Sequence, residues 1–415
     1  MSNFASVNDI SELKFTLKNI NWDFFPTGST YSTQISPFNC RKYHWLPATF
    51  IAEIPFTLVE VLSLPKAVVY DPFGGIGTTF FQAFLLNRIP ITTEICKVSV
   101  NFIKSLFILF DPQTDFQKLK TAIKTIVTNY EKEKDYTQNI SSNSQFFNLT
   151  PWYSSQTLNQ LGYLFMEKNH STDIFIESLI SISVSSLLKS VSSQDRGYGC
   201  VADNVFPKKE QIKNKDAILL FKNNANNLIK NIESQHNLIG SSFSNHYYKI
   251  KELNSIIHQD IRKKSSIPSD SIDIVITSPP YPNMVDYIKS QRLSYYFFNY
   301  DINEDLPLEI GARFKRGKRD ALQNYLTDMN IANENITNKL KNGGYICYIM
   351  PAFDTDNKNN FDRKNIVKKV LDNLDNFGLK KELTLERIIP SRHRLHNVKW
   401  ATLEKENILI YRKGG

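Results

Sequence analysis

Apolar residues follow two kinds of spacing along this chain, one typical of strands and one typical of helices. These spacings divide the chain into three regions. Up to about residue 104, strand-like and helix-like runs alternate: "KAVVYDPFGGIGTT" predicts a strand, a glycine loop and a helix start, and "IPITTEI" predicts the next strand. From about residue 105 to 250 the apolar positions follow helical spacing, as in "DAILLFKNNANNLIKNIESQ", between polar loops. After residue 250 strands resume in "SIDIVIT", "GGYICYIM" and "ENILIYRK", separated by helical runs.

This alternation predicts an α/β protein in which two halves of one parallel sheet are divided by a mostly helical insertion. The expected divisions are residues 1–104, 105–250 and 251–415. In open sheets of this class, ligands bind beyond the carboxyl ends of the strands, near the point where the strand order reverses. The residues that directly follow the predicted strands are therefore the first candidates for a functional site.

A glycine-rich loop follows the first of these strands, in the stretch "VVYDPFGGIGTTF". Closely spaced glycines let the backbone approach a ligand and leave amide groups free at a helix amino end, which suits a nucleoside or a carboxylate. No Lys-Ser or Lys-Thr follows Gly77, so the loop is not a phosphate-binding P-loop. Glu94 ends the next predicted strand, where such folds place an acid that accepts hydrogen bonds from ribose. A tight turn and a surface carboxylate would also explain the pattern.

A second chemical signal, "TSPPY" at 277–281, follows the apolar run Ile274–Ile276. Prolines at a strand end are explained by a stiff turn alone. If the substrate carries an exocyclic amino group on a nucleobase, however, the Ser278 hydroxyl and the Pro279 carbonyl can accept its hydrogens and favour the geometry in which nitrogen attacks. Tyr281 then offers a ring on which an extruded base can stack.

Composition narrows the class of protein and of partner. The chain has 415 residues, of which 41% are hydrophobic, enough for a large folded core. Its net charge of +9 favours a polyanionic partner such as nucleic acid, although a merely basic soluble protein has the same excess. The four cysteines are far apart and indicate neither a disulfide framework nor a zinc site. The sequence pattern indicates neither a signal peptide nor an apolar stretch long enough to span a bilayer. We therefore expect a cytoplasmic protein.

The two motifs together resemble those of the amino-group DNA methyltransferases that use S-adenosylmethionine, with "DPFGGIGTT" similar to the cofactor loop and "TSPPY" to the catalytic tetrapeptide. Further stretches agree: "YHWLPATFIAEIP" before the loop, "LKNGGYICYIMP" at a later strand, and "RIIPSRHR" with "EKENILIYRK" at the carboxyl end. The resemblance covers roughly residues 38 to 104 and 250 to 413 and leaves the insertion unmatched. It implies a Rossmann-like methyltransferase sheet with helices on both faces.

The resemblance also assigns roles to individual residues. It implies that the cofactor is lined or held by Asp71, Phe73, Gly75, Gly77, Thr78, Glu94 and Asp260, with Glu94 on the ribose and Asp260 on the adenine amino group. The target base would be held by Ser278, Pro279, Pro280 and Tyr281. Two positions depart from the family: Thr49 stands where relatives often carry lysine, and Gln259 stands where glycine is common.

Within the family, serine before the two prolines usually accompanies methylation of cytosine N4, which makes this the favoured reaction. Adenine N6 is the nearest alternative, an RNA guanine N2-methyltransferase is a further one, and an inactive DNA-binding relative is a third. The resemblance implies a duplex DNA substrate, a flipped base and, in a restriction-modification system, a companion endonuclease. The spacing of the cysteines and histidines predicts no metal site, and no membrane partner is expected.

Basic clusters predict where DNA would be held, since lysine and arginine neutralise phosphates. The favoured cluster is "ARFKRGKRD", with Arg313, Lys315, Arg316, Lys318 and Arg319. Weaker candidates are Arg41 with Lys42, residues 262–264, and "RIIPSRHRLHN" with Arg392, His393, Arg394 and His396. A solvated helix face is the alternative explanation for each of them. In the insertion, a candidate target-recognition region, the segment 192–209 with Arg196 and Tyr198 is the expected substrate-facing loop.

Overall fold

The computed structural model describes residues 10–23, 37–194, 206–240, 243–315, 317, 319–352, 358–389 and 404–414. Within these residues seven strands form one sheet in the order β3-β2-β1-β4-β5-β7-β6. The strands are β1 (Val68–Asp71), β2 (Ile89–Glu94), β3 (Ile256–His258), β4 (Ile272–Thr277), β5 (Leu340–Pro351), β6 (Leu379–Ile388) and β7 (Lys405–Lys413). The α/β fold class predicted from the alternating pattern is confirmed.

Helices fill the intervals between the strands. In the described residues they are α1 (Ile10–Lys18), α2 (Glu53–Leu62), α3 (Thr78–Leu85), α4 (Lys97–Leu109), α5 (Phe116–Thr128), α6 (Thr137–Ser141), α7 (Phe146–Leu149), α8 (Ser155–His170), α9 (Ile174–Val191), α10 (Ala217–Ile239), α11 (Phe243–Glu252), α12 (Tyr287–Ser290), α13 (Arg292–Phe297), α14 (Ile302–Asp305), α15 (Ala321–Lys339) and α16 (Lys358–Asp372). The predicted helix "DAILLF…" begins where expected, because the Asp216 carboxylate caps α10 by accepting from the Leu219 N–H at 3.0 Å.

The strand order reverses between β1 and β4. β1 pairs in parallel with β2 on one side and with β4 on the other, and the chain reaches β4 only after β2, β3 and the long helical segment. The carboxyl ends of β1 and β4 are Asp71 and Thr277, so the glycine loop and the TSPPY stretch leave the sheet side by side. This is the position that the fold class provides for a ligand.

Helices cover both faces of the sheet. Successive side chains along each strand point to opposite faces. Tyr70 and Val275 lie on the face that packs against α15 and α16. Val69 and Ile274 lie on the opposite face, beneath α1 and α2. Each fully buried aliphatic side chain of this kind stabilises the fold by roughly 1.5–3 kcal/mol relative to an exposed one.

The helical segment between β2 and β3 shares a core with the sheet domain. One apolar cluster joins α3 and α4 to α5, α8, α9, α10 and α11. Within it, α9 is long and apolar enough, by length and composition alone, to cross a bilayer, which the sequence pattern did not lead us to expect. Half of that helix is buried, with Leu179 and Leu187 fully so, and core helices pass the same test.

Two expectations about the carboxyl-terminal part are wrong. The sheet is not wholly parallel, since β7 inserts between β5 and β6 and runs antiparallel to both. The interval between β5 and β7 is not only helical, because it also contains β6. In the β6 sequence "LKKELTLERI", Leu383 and Leu385 are buried and alternate with the exposed Thr384 and Glu386. Charged residues are typical of an edge strand.

Candidate active site

A cleft opens at the carboxyl ends of β1, β2 and β4. It encloses about 870 Å³ of space not filled by protein atoms, part of which is open to solvent. Residues predicted from the two motifs meet in its wall: Phe73, Gly75, Thr78, Glu94, Asp260, Ser278 and Pro280. Thr49 and Gln259, the two positions that depart from the family pattern, also line the cleft. Sequence positions more than 200 residues apart are therefore brought to one cavity by the parallel pairing of β1 with β4.

The glycine loop is shaped by close packing against β2. The Gly74 N–H donates to the Thr93 carbonyl at 3.0 Å, and a Cβ at Gly74 would lie 1.9 Å from the Thr92 hydroxyl oxygen. Gly77 has a φ of +80° and stands directly before the first turn of α3. Because only glycine adopts that conformation without strain, the loop can reverse direction and enter the helix within three residues of Gly74.

Glu94 lies at the carboxyl end of β2 and faces the cleft. One carboxylate oxygen accepts from the Gly75 N–H at 2.7 Å, and the other accepts from the Cys96 N–H at 2.8 Å. Burial raises the pKa of Glu94 to about 7 although these backbone hydrogen bonds lower it. Each oxygen keeps a further lone pair, so the group can accept hydrogen bonds from a diol.

Asp71 and Gly77, both predicted to line the cofactor, do not line the cleft. Asp71 is buried and accepts from the Thr277 hydroxyl at 2.6 Å and from the Phe73 N–H at 3.1 Å. Burial raises the pKa of Asp71 to about 6, against these hydrogen bonds. Since Asp71 ends β1 and Thr277 ends β4, the carboxylate joins the two strand ends from which both motif loops depart.

Asp260 lines the cleft but already has an ionic partner. The Arg262 guanidinium donates to both of its carboxylate oxygens, at 3.0 and 2.7 Å, and forms a second ion pair with Asp328 at 2.8 Å. Burial raises the pKa of Asp260, but Arg262 outweighs it, and the pKa lies below the usual value for an aspartate. Arg262, a weak candidate for DNA contact, thus forms ion pairs with two acids of the chain itself. Contact of Asp260 with an adenine amino group stays a prediction.

The TSPPY stretch presents only part of itself to the cleft. Ser278 and Pro280 line it, and the Pro280 carbonyl accepts from the Tyr325 hydroxyl at 3.0 Å. Tyr281 is 4% exposed, and its hydroxyl lies 3.4 Å from the Ser278 hydroxyl oxygen and 3.3 Å from a Glu406 carboxylate oxygen. Neither Pro279 nor the Tyr281 ring is among the lining residues. The predicted stacking platform therefore lies behind the wall of the cleft rather than on its surface.

Glu309 also lines the cleft, but it was not predicted from the sequence. Its carboxylate accepts from the N–H groups of Tyr287 at 2.6 Å and Ile288 at 3.3 Å, which holds the segment 306–315 against α12. Burial, followed by the nearby Asp286, raises the pKa of Glu309 to about 8. A usable signal was present, since Glu309 is an isolated acid in the apolar stretch "LPLEIGA".

The favoured basic cluster is only partly described, because Arg316 and Lys318 lie outside the described residues. Arg319 is exposed and Arg313 is half-buried. The Lys315 ammonium group donates to the carbonyls of Pro307 at 3.0 Å and Glu309 at 2.5 Å, so it helps to close the segment 306–315. The other candidates at 392–396, and Arg196 with Tyr198, also lie outside the described residues.

Three of the four cysteines lie in the described part of the chain, and none of these forms a disulfide. Cys40, Cys96 and Cys347 are buried and unpaired, and burial raises the pKa of each thiol. Within the described ranges, no group of three or more His, Cys, Asp or Glu side chains could hold a metal ion.

Comparison with known proteins gives little further guidance. No protein-family model matches the chain, and no curated protein matches it either. Among solved structures, a candidate DNA modification methylase from Thermus thermophilus aligns at 15% identity with a TM-score of 0.22, over 38% of this chain and 51% of that one. A candidate exported protein from Bordetella parapertussis aligns at 10% identity with a TM-score of 0.20, over 72% and 97% of the two chains. The present chain thus spans about half of the first protein, and likenesses this weak do not support a function.

Proposed function

We propose that this protein transfers a methyl group from S-adenosylmethionine to the exocyclic amino nitrogen of a base in DNA, with cytosine N4 as the favoured acceptor. One observation carries the proposal: a single cleft is lined by the glycine loop and Glu94 on one side and by Ser278 with Pro280 on the other. A nucleoside-type cofactor and an amino-bearing base would therefore meet in one cavity.

The lining residues fit the proposed cofactor. Glu94 would accept from the ribose hydroxyls, and the side chains of Phe73 and Ile261 offer apolar contact to an adenine ring. Thr49 donates its hydroxyl hydrogen to the Leu46 carbonyl at 2.9 Å, so it does not supply the positive charge that lysine would give at that position. When bound, S-adenosylmethionine supplies an electrophilic methyl group attached to a positively charged sulfur.

The chain's own contribution to catalysis would be positioning and electrostatic stabilisation. The lone pair of an exocyclic amino group is delocalised into the base, which makes the nitrogen a weak nucleophile. The Ser278 hydroxyl oxygen, which lines the cleft, would accept an amino hydrogen and stabilise the tetrahedral nitrogen of the transition state. The Pro279 carbonyl, predicted to accept the second hydrogen, does not line the cleft in this structure. No strong base is required, because the proton is lost to solvent only after nitrogen has acquired its fourth bond.

The choice of acceptor depends on the residue before the two prolines. Adenine N6 presents the same kind of amino group and is the nearest alternative, followed by guanine N2 in RNA. Ser278 in place of aspartate before the prolines favours cytosine over both. Residues 105–250 would contribute to recognition of a DNA site, and a companion endonuclease would make the pair a restriction-modification system.

Methyl transfer from labelled S-adenosylmethionine tests the substrate class. We expect the purified protein to transfer label to duplex DNA and not to RNA when each is offered alone. A reaction without nucleic acid measures any labelling of the protein itself. Transfer to RNA alone would overturn the assignment of DNA, and transfer to neither would overturn the proposed activity.

A further inference from the structure

A line of polar groups runs from the cleft into the sheet behind Ser278. The Ser278 hydroxyl is 3.4 Å from the Tyr281 hydroxyl, which is 3.3 Å from one carboxylate oxygen of Glu406 on β7. The other Glu406 oxygen accepts from the Arg387 guanidinium at 2.9 Å, on neighbouring β6. The two hydroxyl contacts are long, as hydrogen bonds around a reacting group often are before substrate binds.

Burial restricts how the protons of this line can be arranged. Tyr281, Arg387 and Glu406 are 4%, 3% and 8% exposed, so water has little access to replace their contacts. An ionised carboxylate only accepts hydrogen bonds. Burial, with Glu406 beside it, raises the pKa of Tyr281 well above its ordinary value, and the phenol therefore keeps its single proton.

The direction of each hydrogen bond follows from these constraints. The Tyr281 hydroxyl donates its only proton to Glu406, so toward Ser278 it can only accept. The single proton of Ser278 is then directed at Tyr281. The Ser278 oxygen is left facing the cleft as a pure acceptor, which matches an amino group and opposes a carbonyl at the same position.

We propose that Glu406 is a positioning residue that acts through Tyr281 to hold the Ser278 hydroxyl in its acceptor orientation, and so selects an amino-bearing base over a carbonyl-bearing one. This inference rests on the proposed function. Sites built to pair with one hydrogen-bonding group discriminate strongly against an analogue that lacks it, because a buried polar group is then left unpaired.

The charges around Glu406 determine the pH at which this arrangement exists. Burial raises the pKa of Glu406, whereas Arg387, the Tyr281 hydroxyl and Arg41 all lower it; burial prevails. Glu53 lies near Arg41 and weakens the influence of that arginine. As pH falls, Glu406 therefore becomes protonated at a higher pH than an ordinary glutamate. When Glu406 loses its charge, the acceptor orientation of Ser278 is lost as well.

Two substitutions interrupt the line at different points. Glu406→Gln keeps the volume but removes the charge, and Tyr281→Phe removes only the hydroxyl. Both are expected to lower kcat for DNA methylation at least about tenfold while leaving the Kd for S-adenosylmethionine within about twofold, since neither residue lines the cleft. Glu386→Gln, an exposed glutamate on β6, is the matched control and should leave kcat unchanged.

A double-mutant cycle separates this role from a merely structural one. If Tyr281 acts through the Ser278 hydroxyl, adding Tyr281→Phe to Ser278→Ala causes no further loss of kcat, and Glu406→Gln abolishes the acid limb of the kcat–pH profile. Full kcat in both single variants, or losses that multiply in the double variant, would overturn the inference. If Glu406→Gln does not fold, the tyrosine cycle alone decides. A wild-type protein without methyl transfer would instead overturn the proposed function itself.

Discussion

Burial has different chemical consequences for the acids around the cleft. Asp71 and Glu94 are both pushed toward protonation, but Asp71 faces Thr277 inside the fold, whereas Glu94 faces the cavity. Asp260 is held ionised by Arg262. The cleft is therefore lined by one acid whose charge is set by its ion pair, Asp260, and by two acids, Glu94 and Glu309, whose pKa values burial raises to about 7 and about 8.

If Glu94 holds the ribose as proposed, the affinity for S-adenosylmethionine should depend on pH. With its pKa raised to about 7, the carboxylate is lost as pH falls, and with it the best acceptor for ribose hydroxyls. If only the ionised form binds, the Kd for S-adenosylmethionine should rise about tenfold between pH 8 and pH 6, as simple titration requires. Isothermal titration calorimetry measures this directly. Glu94→Gln should bind more weakly with a flat profile, and an unchanged pH slope in that variant would contradict the role of Glu94.

Ser278 can be tested separately from cofactor binding. Ser278→Ala removes an acceptor that acts only on the amino hydrogens in the transition state, so methylation should fall roughly 10²- to 10³-fold, the loss typical of one preorganised stabilising group. The Kd for S-adenosylmethionine, measured by calorimetry, should change little. Full activity in the alanine variant would remove the mechanism proposed for this hydroxyl.

At the level of elements, the cleft depends on how closely the glycine loop between β1 and α3 packs on β2. Gly74 donates to Thr93 and leaves no room for a side chain, whereas Gly317 in the segment after Phe314 has open space around it. The same loop presents the Gly75 N–H to Glu94. Displacing the loop would therefore disturb the proposed ribose acceptor as well as strain the fold.

Gly74→Ala is expected to destabilise the protein by about 1–3 kcal/mol, the usual cost of overpacking, because its Cβ would collide with the Thr92 side chain and approach the Thr93 carbonyl. Denaturant unfolding measures the change, and Gly317→Ala serves as the matched control with no change expected. Equal stability of the two variants would contradict the close packing of Gly74 against β2.

The same elements show what a sequence reveals and what it does not. β1, β2, β4, β5 and β7 were predicted because each is a concentrated apolar or β-branched run next to a turn signal. β6 was missed because its charged residues dilute the period-two pattern, and the reversal of β7 depends on pairing that no local pattern encodes. In the cleft, local patterns predicted lining residues such as Phe73, Gly75 and Ser278, but they did not show that Asp71, Gly77, Pro279 and Tyr281 lie outside its wall. Glu406 was not predicted, because it meets Tyr281 only through a contact spanning 125 residues of chain.

For the whole molecule, the buried acids should govern how stability varies with pH. Glu309 is the clearest case, since burial raises its pKa to about 8 from an ordinary 4.5. A folded-state pKa above the unfolded one means that the contribution to stability is complete below about pH 4.5 and is lost as pH rises through about 8.

Glu309→Gln should consequently be as stable as the wild type near pH 5 and more stable than it at pH 9. The difference should grow by up to about 1.4 kcal/mol for each pH unit in which the folded protein resists ionisation. Urea unfolding at pH 5, 7 and 9 measures this, with exposed Glu334→Gln as control. A wild-type advantage at pH 9 would contradict the assignment.

At the scale of the whole molecule, the net charge of +9 and the cleft are consistent with the proposed action on DNA. The most direct test of that account is the identity of the methylated nucleoside. Duplex DNA incubated with the protein and S-adenosylmethionine is digested and analysed by mass spectrometry, beside a reaction with Ser278→Ala. We predict N4-methylcytosine with the wild type and nearly none with the variant. N6-methyladenine would keep amino-group chemistry but change the base, and the absence of any N-methylated nucleoside would contradict the account.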